Sequence, residues 1–185
     1  MPEATKKRPR VFDFRGDPPA IAYLDPSFLL NVLVSGASYH AECVAYAHRL
    51  EAAKTTLVLS NLGLDEIWFV LLRIQATSER GEKGWLTFLR ENPVKVSAYT
   101  TRLEEATLQI LEIPHLLMVE LSASQSLRAL SLMKRVGLLP RDALHATTAL
   151  EIGLDAIITT DADFALVDEL AVYTCNPALL QHRQV

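Results

Sequence analysis

Five short apolar runs constrain the fold of this chain more than any other feature. They are IAYL at 21–24, TLVL at 56–59, LLMV at 116–119, AIITT at 156–160 and AVYTC at 171–175. Runs this short, with little polar alternation, suit strands buried on both faces. Longer stretches with helical periodicity separate them. Pro26 opens one at 26–34, and Cys43, Ala47 and Leu50 share a face in the next, at 39–54. Ser60-Asn61 caps a strongly apolar stretch at 62–75. A short helical pattern follows at 81–92 and an amphipathic one at 98–112, before Pro114. Two more, at 122–136 and 140–152, end at Gly137 and Gly153. Strands alternating with helices predict an α/β fold with a mostly parallel sheet, and right-handed crossovers place the helices on both faces.

The 185 residues suffice for one domain with a sizeable core. Half the residues are hydrophobic and 22% are charged, which excludes a wholly disordered or collagen-like chain. Residues 1–19 are polar, with Lys6, Lys7, Arg8 and Arg10 clustered and Asp17-Pro18-Pro19 closing the segment. They read as a flexible leader, with the domain spanning 20–185. No apolar stretch follows the basic residues, so the N-terminus does not read as a signal peptide. The longest apolar run, 67–72, is far short of the ~20 residues that cross a bilayer, so no membrane partner is expected. Cys43 and Cys175 cannot build a disulfide framework or a four-cysteine zinc site, and free thiols suit a reducing cytoplasm. The net charge of −4 argues against a bulk electrostatic nucleic-acid binder. It leaves room for a nuclease with a local basic rim.

In open parallel sheets, ligands bind beyond the carboxyl ends of the strands. Asp25 follows the first run directly, and Asp161 follows the fourth, with Asp163 two residues on. Glu66 lies about two turns into the helix after the second run, and Asp142 sits in the first turn of the helix before the fourth. Each has an ordinary structural role available. Asp25 can cap a helix, Asp142 can face a helix dipole, Asp161 can begin a turn and Glu66 can be solvated. Glu66, however, is embedded in LGLDEIWFVLL, where a carboxylate needs a partner. Its neighbour Asp65 can fill the same place, because the sequence leaves the helix phase open. Clustered carboxylates repel, and a divalent cation resolves the repulsion. An all-oxygen donor set without a Cys or His cluster suits Mg2+ or Mn2+ rather than zinc. Such a site can activate water and stabilise an oxyanion leaving group, which suits phosphodiester hydrolysis.

The segments YLDPSFLLNVLV, LSNLGLDEIWFVL, LLPRDALHATTALEIGLDAIITTDADF and AVYTCNP resemble the PIN-domain signature over roughly residues 21–177, closest in style to the VapC-like toxins of toxin–antitoxin pairs. The resemblance implies a three-layer α/β/α sandwich around a mostly parallel sheet of four or five strands. It implies a metal-dependent ribonuclease, usually a homodimer, with Mg2+ or Mn2+ as cofactor and a small antitoxin protein as a partner. Carried over, Asp25, Glu66, Asp142 and Asp161 match the acidic quartet, and Asp163 a fifth acidic position. Ser27 matches the small polar residue of the first motif, and Thr160 the hydroxyl beside the fourth acid. Arg141 and His145 read as a solvent-facing arginine and a packed histidine. The chain is longer than a minimal toxin of this type, through its leader and a helical stretch at 76–95. The competing reading is a PIN-like fold turned catalytically silent binding or scaffold module. A receiver domain and a haloacid-dehalogenase-type phosphatase fit less well. No lysine follows Lys134, and position 27, where the phosphatase needs a second aspartate, is Ser27.

Overall fold

The structure, a computed structural model, describes residues 9–181. Its strands are β1 (Arg10–Asp13), β2 (Ile21–Leu24), β3 (Thr56–Ser60), β4 (Leu116–Val119), β5 (Ala156–Ile158) and β6 (Ala171–Thr174). Its helices are α1 (Pro26–Leu33), α2 (His40–Ala52), α3 (Asn61–Arg80), α4 (Trp85–Glu91), α5 (Pro93–Leu111), α6 (Ala123–Val136), α7 (Pro140–Glu151) and the short α8 (Pro177–Leu180). A single 3-10 turn covers Asp163–Leu166. The strands form one sheet in the order β1-β6-β5-β2-β3-β4, with every neighbouring pair parallel.

The sheet therefore has six strands among the described residues, not four or five. The additional strand is β1, which falls inside the expected leader. Residues 1–8 of that leader lie outside the described residues. In the sequence the basic cluster dominates this segment, but Val11 and Phe14 are buried, and Phe14 stacks on Tyr46 with ring centroids 4.0 Å apart. Arg10, read as part of the polar leader, donates to Asp155 at 3.0 Å and to the Glu169 carbonyl at 2.6 Å. Structure thus begins at least ten residues before the expected boundary, by the span from Arg10 to Pro19.

The side-chain alternation of the strands divides the core in two. Ala22, Leu24, Leu57, Leu59 and Ile158 pack towards α1, α2, α3 and α5, against residues such as Phe28, Tyr46, Leu50, Ile67 and Ile110. Tyr23, Val58, Ile157 and Val172 point to the opposite face, against Ala129, Ala143, Ala146 and Phe164 of α6, α7 and the 3-10 turn. Burial on both faces explains why these strands are apolar without interruption. The result is the three-layer α/β/α sandwich. A third, smaller cluster joins Ala76, Leu89 and Tyr99 with Leu72, Trp85 and Phe88, and anchors the α3–α4–α5 extension.

From β2 the chain steps outward through β3 and β4, then returns to place β5 on the other side of β2. The topological switch point therefore lies between β2 and β5, where a crevice opens at the carboxyl ends. Register sets the details. Tyr23 pairs with Ile157 and Leu24 with Ile158, so Asp25 and Thr159 leave the sheet side by side.

Candidate active site

Asp25 is buried at the head of α1 and acts as its N-cap. Its Oδ2 accepts from the Ser27 N–H at 3.1 Å, from the Thr159 hydroxyl at 2.8 Å and from the Ser27 hydroxyl in a short contact. All three bonds fall on one oxygen, which fixes the carboxyl plane and leaves Oδ1 outside this set. Burial pushes the Asp25 carboxyl above the usual carboxylate range, while His145 and the bonds from Ser27 and Thr159 oppose the rise.

The hydroxyls are themselves held. Ser27 Oγ accepts from the Thr160 N–H at 3.0 Å and stands 3.1 Å from Thr159 Oγ1. Thr159 Oγ1 accepts from the Asp161 N–H at 2.9 Å. Of the two threonines after β5, Thr159 reaches the acid. Thr160, expected beside the fourth acid, accepts from the Asn31 amide at 3.3 Å through its hydroxyl and from Asn176 at 2.8 Å through its carbonyl. The sequence reading missed Thr159, because only the β2–β5 register shows which of two adjacent hydroxyls faces Asp25.

Asp161 is half-buried, and its Oδ1 accepts from the Asp163 N–H at 2.9 Å, forming the turn that leads into the 3-10 helix. Asp163 is exposed. Asp142, in the first turn of α7, is pushed up to about 6. Burial is the main cause, followed by the negative charges of Asp161, Asp25, Asp163 and Glu66 in that order. Every acid read from the sequence thus lies within electrostatic reach of Asp142.

The phase of α3 is now fixed. The Glu66 side chain is 17% exposed and the Asp65 side chain 65%, so Glu66 faces inward. Glu66 Oε1 lies 2.9 Å from His145 Nε2, and His145 Nδ1 lies 2.7 Å from the Tyr23 hydroxyl. That hydroxyl is also 2.7 Å from Ser60 Oγ, which caps α3 by accepting from the Gly63 N–H at 3.3 Å. Nε2 faces the Glu66 carboxyl, and the Tyr23 hydroxyl, which donates to Ser60 Oγ, stands beside Nδ1. Burial pushes the Tyr23 phenol far above its ordinary value, which keeps it a donor. This chain of polar groups ties β2, β3, α3 and α7 together beneath the acids. It was invisible in the sequence, where Tyr23 and Ser60 read as a strand residue and a cap. Arg141 stands at the rim, 3.9 Å from both Asp65 and Glu66.

The sequence profile of the PIN-domain family matches residues 22–170. The chain belongs to the PIN-domain family. Two solved structures share the fold. VapC20 of Mycobacterium tuberculosis, described as a sarcin-ricin loop cleaving toxin, matches with a TM-score of 0.53 and 18% identity, over 82% of this chain and 98% of its own. VapBC2 of Rickettsia felis, bound to a promoter DNA fragment, matches with a TM-score of 0.53 and 14% identity, over 82% of this chain and 96% of its own. No curated protein sequence matches at a significant level. Among the described residues, no helix of this PIN domain is long and apolar enough to cross a membrane.

The donors of this PIN domain suit a hard divalent cation in type and in charge. They are all carboxylates, and their mutual repulsion, visible at Asp142, is what a cation relieves. Convergence is not preformed. Among the described residues, no three Asp, Glu, His or Cys side chains stand ready to chelate together.

Proposed function

We propose that this PIN domain is a ribonuclease that hydrolyses RNA phosphodiester bonds and serves as the toxin of a toxin–antitoxin pair. The observation that carries the reading is the position of Asp142, its pKa raised by burial and then by four other carboxylates, at the topological switch point of a parallel sheet. Asp25, Asp142 and Asp161 would hold Mg2+ or Mn2+, with Glu66 and Asp163 contributing charge. A bound cation would supply Lewis-acid stabilisation and a water of lowered pKa.

The chain's own residues do the positioning. Ser27 and Thr159 clamp one oxygen of Asp25, so its second oxygen has a fixed direction. His145 and Tyr23 hold Glu66 in the same way from below. Asp142, with its raised pKa, can take up and release a proton near neutral pH in the free protein. Arg141 brings a guanidinium to the rim, where a phosphate of the substrate can replace its two long contacts to Asp65 and Glu66. A small antitoxin and a homodimer complete this reading. Co-expression with the adjoining reading frames and co-purification test the first, and sedimentation tests the second.

The silent-module alternative draws on one observation, the lack of three side chains in chelating geometry among the described residues. Incubation of the protein with a mixed RNA pool, with Mg2+, with Mn2+ and with EDTA, separates the two readings. The nuclease reading requires cleavage with metal and none with EDTA. It also requires that Asp25→Asn and Asp142→Asn each lose activity by orders of magnitude, since even changes behind metal ligands cost ~10–100-fold. Near-wild-type cleavage by both variants would refute it.

A further inference from the structure

Beside the acid cluster, three side chains from three elements meet at the surface. Phe69 of α3 is 39% exposed. Trp85, at the start of α4, meets it edge-on with ring centroids 5.2 Å apart. The Arg141 guanidinium of α7 lies 5.7 Å over the Phe69 ring. The same guanidinium is the one 3.9 Å from Glu66, so this aromatic platform is continuous with the carboxylates. We propose that Phe69, Trp85 and Arg141 form a stacking subsite for an unpaired nucleobase of the RNA substrate, next to the phosphate that is cleaved.

The chemistry of the three groups selects this occupant. Exposed aromatic faces and planar guanidinium groups are the surfaces on which splayed-out bases stack, whereas a duplex keeps its bases inside. A purely apolar partner would leave Arg141, 47% exposed and only loosely paired, buried without compensation. A nucleotide satisfies both halves: its base covers the ring, and its phosphate meets the guanidinium. Arg80 at the end of α3 and Lys83 in the turn before Trp85 add positive charge to this segment, while Glu82 between them pairs with Arg73. Phe69 and Trp85 lie 16 residues apart in sequence, and Arg141 another 56 beyond, so no aromatic stripe announces the subsite before folding. Trp85 belongs to the helical extension that makes this chain longer than a minimal toxin, which gives the extension a task.

The subsite rests on the ribonuclease reading, and binding in EDTA tests it apart from cleavage. The probe is a short unstructured oligoribonucleotide with a fluorescent end label, compared with the same strand annealed to its complement. The single strand should bind more tightly than the duplex. Phe69→Ala and Arg141→Ala should each weaken single-strand binding by roughly 5- to 150-fold, the usual range for one stacked base. Phe69→Tyr should restore it, and Arg141→Lys should recover only part, since lysine keeps the charge but not the plane. In a Trp68→Phe background Trp85 is the one remaining tryptophan, and its fluorescence should fall as the strand binds. Circular dichroism confirms that each variant is folded.

Unchanged single-strand affinity in folded Phe69→Ala and Arg141→Ala overturns the subsite. So does equal binding of single strand and duplex. A third contrary result is Phe69→Ala turning a dimer into a monomer with RNA affinity intact, which makes the patch an interface between copies. A protein that cleaves no RNA yet binds it through Phe69 sinks the nuclease reading and keeps the subsite. Cleavage indifferent to Phe69 and Arg141, with binding also unchanged, does the reverse.

Discussion

His145 Nε2 lies 2.9 Å from Glu66 Oε1, and this pairing holds the inward face of α3 against α7. Both imidazole nitrogens are engaged in a fully buried position, with Tyr23 at the other end. Glu66 is therefore held by the buried imidazole rather than by Arg141, whose contact is an ångström longer. Replacement of His145 by Ala leaves the Tyr23 hydroxyl without this partner and opens a cavity. Unfolding in urea should show a loss of about 1–3 kcal/mol. His145→Gln, which can reach one of the two partners, should lose less. Equal stability of His145→Ala and wild type would mean the bond contributes nothing net.

The clamp on Asp25 separates two adjacent hydroxyls. Thr159→Ala and Ser27→Ala should each lower RNA cleavage ~10–100-fold, in line with groups that orient a metal ligand. Thr159→Ser keeps the donor and should retain most of the activity. Thr160→Ala, whose hydroxyl meets Asn31 instead, should fall well short of the Thr159→Ala effect. Single-turnover rates on one cleavable RNA decide the order, and a larger defect at Thr160 would show that Thr160, not Thr159, orients Asp25.

Asp142 makes the metal-free protein pH-sensitive. Its folded pKa, about 6, lies above the ordinary value of 3.8, so the folded state holds the proton more tightly than the unfolded chain. Stability from this group is fully present below about pH 4 and is lost as pH rises through about 6. In EDTA at pH 7, Asp142→Asn should therefore be more stable than wild type, by of order 1 kcal/mol once solvent screening of this half-buried group is allowed for. The difference should vanish near pH 4. Melting temperatures measured across this range check the sign, and a variant less stable than wild type at pH 7 contradicts it.

Adding Mg2+ or Mn2+ should then reverse the ranking. A cation that binds only the native wild type at a hundred times its Kd adds roughly 2.7 kcal/mol, and Asp142→Asn should gain less. Calorimetry with and without metal reads this directly. No shift in the wild-type melting temperature at millimolar metal would favour the silent-module alternative.

Phe14 closes the core over α2 next to β1, stacked on Tyr46 and edge-on to Phe28. Phe14→Ala should cost ~3–5 kcal/mol, the range for a buried aromatic. Deletion of a solvated leader residue would cost almost nothing, so denaturant titration distinguishes a built-in strand from a tail.

Most of the sheet was legible because its strands are apolar on both faces and end on acids. The runs at 21–24 and 116–119 match β2 and β4 residue for residue. The helices from α1 to α7 begin and end within a few residues of the expected bounds, apart from α3, which runs on to Arg80, and α5, which starts at Pro93 rather than 98. β1 was hidden because RVFD offers one buried residue, Val11, within a cluster of charges. What composition and spacing could not carry was lateral information. Which threonine faces Asp25, which of Asp65 and Glu66 turns inward, and which aromatic meets Arg141 all depend on registers and helix phases between segments far apart in sequence. Asp25 and Asp161 announced themselves at the ends of apolar runs, and Glu66 and Asp142 within the first two turns of helices. Their supporting shell of Ser60, Tyr23, His145 and Thr159 is made of residue types that occur in any core.

The pairing of β1 with β6 sets the timetable for folding. Arg10 aligns with Ala171, so among the described residues the earliest strand has its one neighbour in the latest. During synthesis β1 leaves the ribosome first and finds no partner until nearly the whole domain has followed. Contacts of such long sequence separation form late and slow the final step of folding. The acids arrive in the same order, Asp25 and Glu66 early, Asp142 and Asp161 near the end. A nascent chain therefore carries only Asp25 and Glu66 of the five acids until α7 is made, and the complete constellation exists only once the sheet can close.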